Sequence, residues 1–92
     1  MANFVTKKDG TKVPFDKEKI KSAVAASSLE AGLSQEEATE LAGKVLDAVV
    51  TAFEGQEEVA SSEIRERVLS ELDVMSPAVS ESWKKYEESK ES

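Results

Sequence analysis

Apolar side chains recur at every third or fourth position through much of the chain, and the pattern is clearest over residues 35–54. This spacing places them along one face of an amphipathic helix. Ser34 followed by Glu37 matches a capping box, in which each side chain accepts a hydrogen bond from the other residue's backbone N–H. The sequence therefore predicts a helix over about 35–54 that Gly55 ends, with a buried stripe formed by Leu41, Val45, Ala48, Val49, Ala52 and Phe53.

The segment before this helix shows the same periodicity over residues 17–31. Asp16 is a good N-cap for it, because its side chain can accept a hydrogen bond from a free N–H of the first turn. Gly32 follows as a C-terminal stop, since glycine readily takes the left-handed conformation that ends a helix. We therefore expect a helix over about 17–31, with an apolar stripe formed by Ile20, Ala23, Val24, Ser27 and Ala31.

Two more helices are predicted in the second half of the chain. One covers about 62–72 and would be capped by Ser61 or Ser62. The other covers about 77–88 and opens with proline, which is tolerated at the first helical position because its missing N–H would be unpaired there anyway. Four helices with short connections can bury their apolar stripes against one another.

Ahead of the helices, two short β-like runs flank Asp9-Gly10. Asp-Gly is typical of a two-residue type I′ turn, in which both central residues need positive φ. We therefore expect a β-hairpin over about 3–15 in which Thr6 pairs with Val13, although a longer turn would change this register. This register would direct one set of residues to the core, namely Phe4, Thr6, Val13 and Phe15, and would place Val5, Lys7 and Lys12 on the opposite face.

Residues 57–60 are short and β-like and could add a third strand to the hairpin. The expected fold class is α+β, mostly α: a four-helix bundle capped by an N-terminal β-hairpin. A chain of 92 residues has room for one hydrophobic core. We therefore expect a single domain over residues 1–92.

The composition excludes several kinds of chemistry. The chain contains no cysteine and no histidine, which removes disulfides, thiol nucleophiles, imidazole catalysis and the usual zinc ligands. The serines have no partnering base, so we expect no enzymatic activity and no metal site. No apolar run approaches the roughly 20 residues that cross a bilayer, and no secretory signal is evident. We therefore expect a soluble, cytoplasmic protein with no membrane partner.

Charge is distributed unevenly along the chain. The net charge is −7, but residues 1–21 hold six lysines against three acidic residues, whereas residues 22–92 hold six basic residues against sixteen acidic ones. An anionic ligand would therefore be drawn to the N-terminal part and repelled by the rest. Nucleic acids need a longer basic face, so direct nucleic-acid binding is not expected.

The start of the first predicted helix departs from the usual charge pattern. The positive end of a helix dipole favours acidic residues, yet these turns carry Lys17, Lys19 and Lys21. Lys7 of the hairpin would lie close to the same helix end, where free backbone N–H groups suit an anion. Phosphates between Lys7 and Lys19 would offset both repulsions. The alternative is that these lysines are simply solvated, as surface lysines usually are.

An ordered string of residues favours the anion site: Val5-Thr6-Lys7-Lys8-Asp9-Gly10, then Phe15-Asp16 and Lys19-Ile20. This string resembles the opening signature of the ATP-cone family. Further along, the segment that opens the third predicted helix is similar to the corresponding segment of that family, and it reads Ser61-Ser62-Glu63-Ile64. The resemblance extends over nearly the whole chain.

The resemblance implies a non-catalytic regulatory domain that binds ATP or dATP, with any Mg²⁺ held chiefly through the phosphates. Family members usually belong to ribonucleotide reductase or its transcriptional repressor and report the ATP/dATP balance through their oligomeric state. Ribonucleotide reductase, another protein or further copies of the chain are therefore the implied partners. By position, Val5 would pack on the base or ribose, and Lys7 and Lys19 would pair with phosphates. The remaining implied nucleotide contacts are Lys8, Asp16, Ser61 and Arg65.

Three positions depart from the family's pattern. Lys8 replaces the commoner arginine and so loses a planar, two-pronged donor. Val13 stands where some members place an acidic residue that reads the base, and Arg65 stands where some carry histidine. These departures keep a second hypothesis open, in which the chain is a helical protein-interaction module that has the ATP-cone architecture but has lost nucleotide binding.

Overall fold

The structure is a computed structural model that describes residues 3–91, with side chains described as far as residue 88. It is α+β and mostly α, as the periodicity predicts, with a four-helix bundle and a small sheet formed largely by the N-terminal strands. The elements in chain order are β1 (Phe4–Thr6), β2 (Lys12–Pro14), α1 (Lys17–Glu30), α2 (Gln35–Ala52), β3 (Glu58–Ala60), α3 (Ser61–Met75) and α4 (Pro77–Glu91).

The hairpin is present, but its expected register is wrong by one residue. β1 and β2 are antiparallel, and Val5 lies opposite Val13 rather than opposite Pro14. Because side chains alternate between the two faces of a strand, a shift of one residue moves β1 onto the other face. Val5 therefore packs against the core, whereas Phe4 is 43% exposed. The expectation that Phe4 and Thr6 face the core and Val5 faces away was wrong.

The register differs because the turn contains three residues rather than two. The Lys7 N–H donates to the Thr11 carbonyl (2.8 Å), and the Gly10 N–H donates to the Lys7 carbonyl (2.9 Å). Gly10 has a φ of 88°, and no non-glycine residue in the described chain has positive φ. This geometry is a type I turn followed by a glycine bulge. In such a turn Asp9 keeps a negative φ, whereas a type I′ turn would require a positive one.

The third strand is confirmed. β3 pairs in parallel with β1, so that Val59 lies beside Val5, and the strand order is β2-β1-β3. Val59 is almost completely buried. On the outer face Glu58 joins all three strands, because it accepts a hydrogen bond from the Thr6 hydroxyl and lies 3.6 Å from the Lys12 ammonium. The Thr6 hydroxyl, more than the Lys12 charge, lowers the pKa of Glu58.

Local sequence sets the start of the first two helices. The Asp16 carboxylate accepts a hydrogen bond from the Lys19 N–H (3.2 Å), as expected of an N-cap. Both bonds of the Ser34–Glu37 capping box are present, at 3.1 and 3.2 Å. Gly32, with a φ of 101°, follows the C-terminal end of α1.

The third helix differs from the expectation at both ends. Neither Ser61 nor Ser62 caps it: the N-cap residue is Ala60, which makes no side-chain hydrogen bond. Strand β3 runs directly into α3, so its pairing with β1 orients the helix start in place of a side-chain cap. The helix continues to Met75 rather than ending at residue 72, and α2 ends at Ala52 rather than at residue 54.

The core lies where the four helices meet. α1 packs against α2 and α4, and α3 packs against the same two helices. Each helix contributes apolar residues to the core, and β3 contributes Val59. The completely buried ones are Val24, Ala38, Ala42, Val45, Val49, Val68, Leu72 and Val79. None of the helices within residues 3–91 is long and apolar enough to cross a membrane.

Candidate functional site

A cleft of about 500 Å³ opens between the sheet and one end of the bundle. Its walls come from the hairpin, the start of α1, the start of α3 and the C-terminal part of α4. The residues that line it are Val5, Lys7, Lys8, Asp9, Val13, Pro14, Asp16, Lys19, Ile20, Ala23, Ser61, Ile64, Arg65, Trp83 and Glu87. All seven residues that the sequence analysis selected line this cleft, although their individual roles remain predictions.

Lys7 and Lys19 reach the cleft from different elements. Lys7 follows β1 at the start of the hairpin turn, and Lys19 lies in the first turn of α1. Both side chains are exposed. Among the described residues, no carboxylate lies within 4 Å of either ammonium group. Two cations without a bridging anion repel each other, so a bound anion would lower the electrostatic energy of this part of the cleft.

The N-terminus of α1 adds a backbone contribution. Asp16 caps the Lys19 N–H, and the N–H groups of the first turn form the positive end of a 14-residue helix. The charged side chains of that turn are two lysines, Lys17 and Lys19, and one acidic residue, Glu18. This end of the cleft therefore presents positive charge from both side chains and backbone.

The third wall depends on the pairing of β1 with β3. Because β3 is continuous with α3, the parallel pairing brings the first residues of α3 next to the hairpin. Ser61 and Arg65 then line the cleft together, one turn apart on α3, and both are half-buried. Lys8 approaches from the hairpin turn. The guanidinium of Arg65 offers a planar set of donors that suits a phosphate.

The floor of the cleft is apolar. Val5 and Val13 lie opposite each other on the inner face of the hairpin, and Ile20, Ile64 and Trp83 continue this surface across three helices. Trp83 is only 5% exposed and belongs to the core as well. A flat apolar group could rest on this floor while charged groups stay at the cationic rim.

Sequence reasoning did not select Val13, Trp83 or Glu87 as site residues. Val13 and Val5 share a face only with the three-residue turn, so the two-residue register concealed their common position. Trp83 carries the helical spacing of a core residue, and that role is also correct. Glu87 lies within the polar C-terminal segment of the sequence, and no local pattern marks it as a cleft residue.

The cleft is positively charged within a negatively charged protein. Four basic residues and three acidic residues line it, giving a net charge of +1 against −7 for the chain. One of the acidic residues, Asp9, accepts a hydrogen bond from the Thr11 N–H (2.9 Å). This bond, with a smaller contribution from Lys7, lowers the pKa of Asp9, so the carboxylate stays ionised.

The charged and apolar groups of the cleft indicate what kind of ligand it suits. Within residues 3–88, no group of three or more histidine, cysteine or acidic side chains could hold a metal ion. A general acid near neutral pH would need a raised carboxyl pKa, whereas that of Asp9 is lowered. The cationic rim and the apolar floor together suit a ligand that combines phosphates with a flat ring.

A protein-family model matches most of the chain. The family model described as the ATP cone domain matches residues 3–88. The match begins before β1 and ends in α4, so it includes every residue that lines the cleft. No curated protein matches the chain.

Proposed function

The chain belongs to the ATP cone domain family, whose members are nucleotide-sensing regulatory modules, and from this premise we propose that it binds ATP or dATP in the cleft and has no catalytic role of its own. The observation that carries the proposal is the convergence of seven residues on one cleft. They come from the hairpin, the adjacent N-terminal end of α1, and α3, which lies more than forty residues further along the chain and is brought next to them by the fold.

The cleft offers a different environment to each part of a nucleotide. The apolar floor, which includes Val5, suits the base or ribose. Lys7 and Lys19 suit the phosphates, because both line the cleft and they come from two different elements. Lys8 and Arg65 extend the cationic surface towards α3 and α4, so that a chain of several phosphates has more partners than a single phosphate has.

Asp16 and Ser61 supply hydrogen-bonding groups at the edges of the apolar floor. One Asp16 oxygen holds the Lys19 N–H, and a carboxylate has further lone pairs to accept from the ligand's N–H or O–H groups. The Ser61 hydroxyl can donate or accept. Mg²⁺ would be bound through the phosphates, because hard cations prefer charged oxygens and the phosphates supply several.

As a regulatory domain, the protein would report nucleotide level through a protein partner, such as ribonucleotide reductase, or through association with further copies of itself. Its place of action would then be the cytoplasm, where ATP and dATP are present. Sedimentation with and without nucleotide tests this readout, because a sensor changes its state of association when its ligand binds.

Calorimetric titration with ATP, dATP and AMP tests the binding proposal. We expect both triphosphates to bind, and AMP to bind at least about tenfold more weakly because it reaches fewer cations. Lys7→Ala and Lys19→Ala should each weaken ATP binding by about fivefold to thirtyfold without loss of helicity, since both side chains are exposed.

Lys44→Ala is the matched control for these variants. Lys44 lies on α2 outside the cleft and pairs with Glu40 at 3.4 Å on the helix surface. Its removal changes the net charge by the same amount, so ATP affinity should change by less than about twofold. Absence of any heat of binding with all three nucleotides at millimolar concentration would favour the protein-interaction hypothesis instead.

A further inference from the structure

We propose that Glu87 is an internal competitor of the nucleotide's phosphates: its carboxylate interacts with Lys8 and Arg65, and phosphates that bind these cations displace it. This inference rests on the proposed function, and it adds a coupling between the cleft and the C-terminal part of α4. Glu87 then sets the affinity of the site, and α4 is the element that responds when the site is filled.

The position of Glu87 is the first observation. A second cleft, of about 410 Å³, lies between α3 and α4 next to the first one. The two clefts share Lys8, Arg65, Trp83 and Glu87. Glu87 is thus the carboxylate that lines both clefts, and Lys8 and Arg65 are the two cations that also line both. Its side chain is half-buried.

The other carboxylates of the first cleft are held by their own backbone. Asp9 accepts the Thr11 N–H within the hairpin turn, and Asp16 accepts the Lys19 N–H at the start of α1. Glu87 differs because it lies on α4, whereas the two cations that share both clefts with it, Lys8 and Arg65, lie in the hairpin turn and on α3. Its distance from them therefore depends on how α4 packs against α1 and α3.

A carboxylate and a phosphate seek the same partners. Lys8, Arg65 and Glu87 each already take part in a polar or electrostatic contact within the molecule. Phosphates that bind Lys8 and Arg65 would bring several negative charges close to a half-buried carboxylate, where water screens the repulsion less than at the surface. Binding therefore requires the carboxylate to move away, and this requirement lowers affinity while it shifts α4.

Trp83 offers a direct signal of that shift. It is the single tryptophan of the chain, it lines both clefts, and it lies one helical turn before Glu87. Its ring also stacks on Tyr86, with centroids 6.3 Å apart. Movement of the C-terminal part of α4 would change the surroundings of the indole and hence its fluorescence.

The test compares ATP binding by the wild-type chain, Glu87→Gln and Glu81→Gln in calorimetric titrations. Glu81 is the matched control: it lies on α4 outside both clefts, is 69% exposed and makes a surface pair with Lys84. Both substitutions remove one negative charge and keep the side-chain length. We expect Glu87→Gln to bind ATP about fivefold more tightly or better, and Glu81→Gln to stay within about twofold of wild type.

The increase in affinity caused by Glu87→Gln should be smaller for AMP than for ATP, because a single phosphate reaches fewer of the cations that line both clefts. The ATP-dependent change in Trp83 fluorescence should also be smaller in Glu87→Gln, whose α4 has no carboxylate to displace. If circular dichroism shows that the amide variant does not fold, Glu87→Ala removes the same charge and replaces it in the comparison.

Two outcomes are distinguishable. If wild type binds ATP and the folded Glu87 variant binds it equally or more weakly, the proposal that Glu87 competes with the phosphates is wrong, while the proposed function stands. If neither wild type nor any variant binds ATP, the proposed function fails and the competition fails with it.

Discussion

A single residue of the turn, Gly10, decides which face of the hairpin packs against the helices. Val5 and Val13 point inwards together because Gly10 accepts the positive φ of a three-residue turn. The same turn places Lys7, Lys8 and Asp9 at the mouth of the cleft. A residue that cannot adopt this φ at low cost would therefore disturb both the sheet register and the cationic rim.

Gly10→Ala tests the importance of this turn. Alanine at a φ of 88° is strained by roughly 1–2 kcal/mol, although the open space around Gly10 imposes no steric clash. We expect the free energy of unfolding to fall by about 1 kcal/mol in urea titrations, with weaker ATP binding as the turn is distorted. Gly55→Ala is the control, because Gly55 lacks a positive φ and a Cβ there also meets no neighbour. An equal loss in both variants would contradict the turn geometry.

The helix caps show how local bonds define the elements that carry the site. Asp16 and Ser34 both satisfy N–H groups that the first helical turn leaves unpaired. α3 lacks such a cap and begins where strand β3 ends. Its start is therefore set by sheet pairing, which is a contact between residues more than fifty positions apart. Ser61 and Arg65 owe their place in the cleft to that pairing.

The capping box of α2 makes stability depend on pH. The Ser34 N–H, followed by the Ser34 hydroxyl, lowers the pKa of Glu37 below its ordinary value of 4.5. The unfolded chain therefore binds this proton at higher pH than the folded chain does. The stabilisation is present above pH 4.5 and is lost as the pH falls through the folded-state pKa.

Urea unfolding of wild type and Glu37→Gln at several pH values measures this effect. Wild type should be the more stable at neutral pH, and the difference should shrink towards zero as the pH falls from about 5 to about 3. Comparing the two chains cancels the general loss of negative charge on acidification. Glu36→Gln removes the same charge from the same turn but leaves the box intact, so it serves as the control. A difference that is constant with pH would contradict the assignment.

At the level of the complete molecule, a ligand in the cleft would add contacts between elements that come from different parts of the chain. The hairpin, α1, α3 and α4 all line the site. A chain of this length buries a modest fraction of its surface on folding, so we expect its intrinsic stability to be small. Any ligand that binds the folded state alone adds its binding free energy to that stability.

Thermal unfolding with ATP measures this linkage. At about 100 times the dissociation constant, ATP should add about 2.7 kcal/mol and raise the midpoint by roughly 10 °C or more. The double variant Lys7→Ala/Lys19→Ala should show little shift at the same ATP concentration. A shift of equal size in both proteins would indicate that the nucleotide binds elsewhere.

Much of the fold is encoded locally and could be predicted from the chain. The periodic apolar positions identify four helices, and Asp16, Ser34 and Gly32 mark boundaries through bonds and conformations that involve only nearby residues. The lysines at the start of α1 are compatible both with an anion site and with ordinary solvation, and the anion site stays a prediction. The predicted register of the hairpin was wrong, because Asp-Gly suits both a two-residue and a three-residue turn and local sequence does not choose between them.

The composition of the cleft depended on contacts between distant parts of the chain. Trp83 and Glu87 line the cleft because α4 packs against α1 and α3, and no local sequence pattern predicts that packing. Neighbouring residues share hydrogen bonds and dipoles that can be read in sequence order. Residues that are far apart along the chain are brought together by burial of apolar area, which has no preferred direction. Their arrangement becomes specific only when all the elements pack against one another.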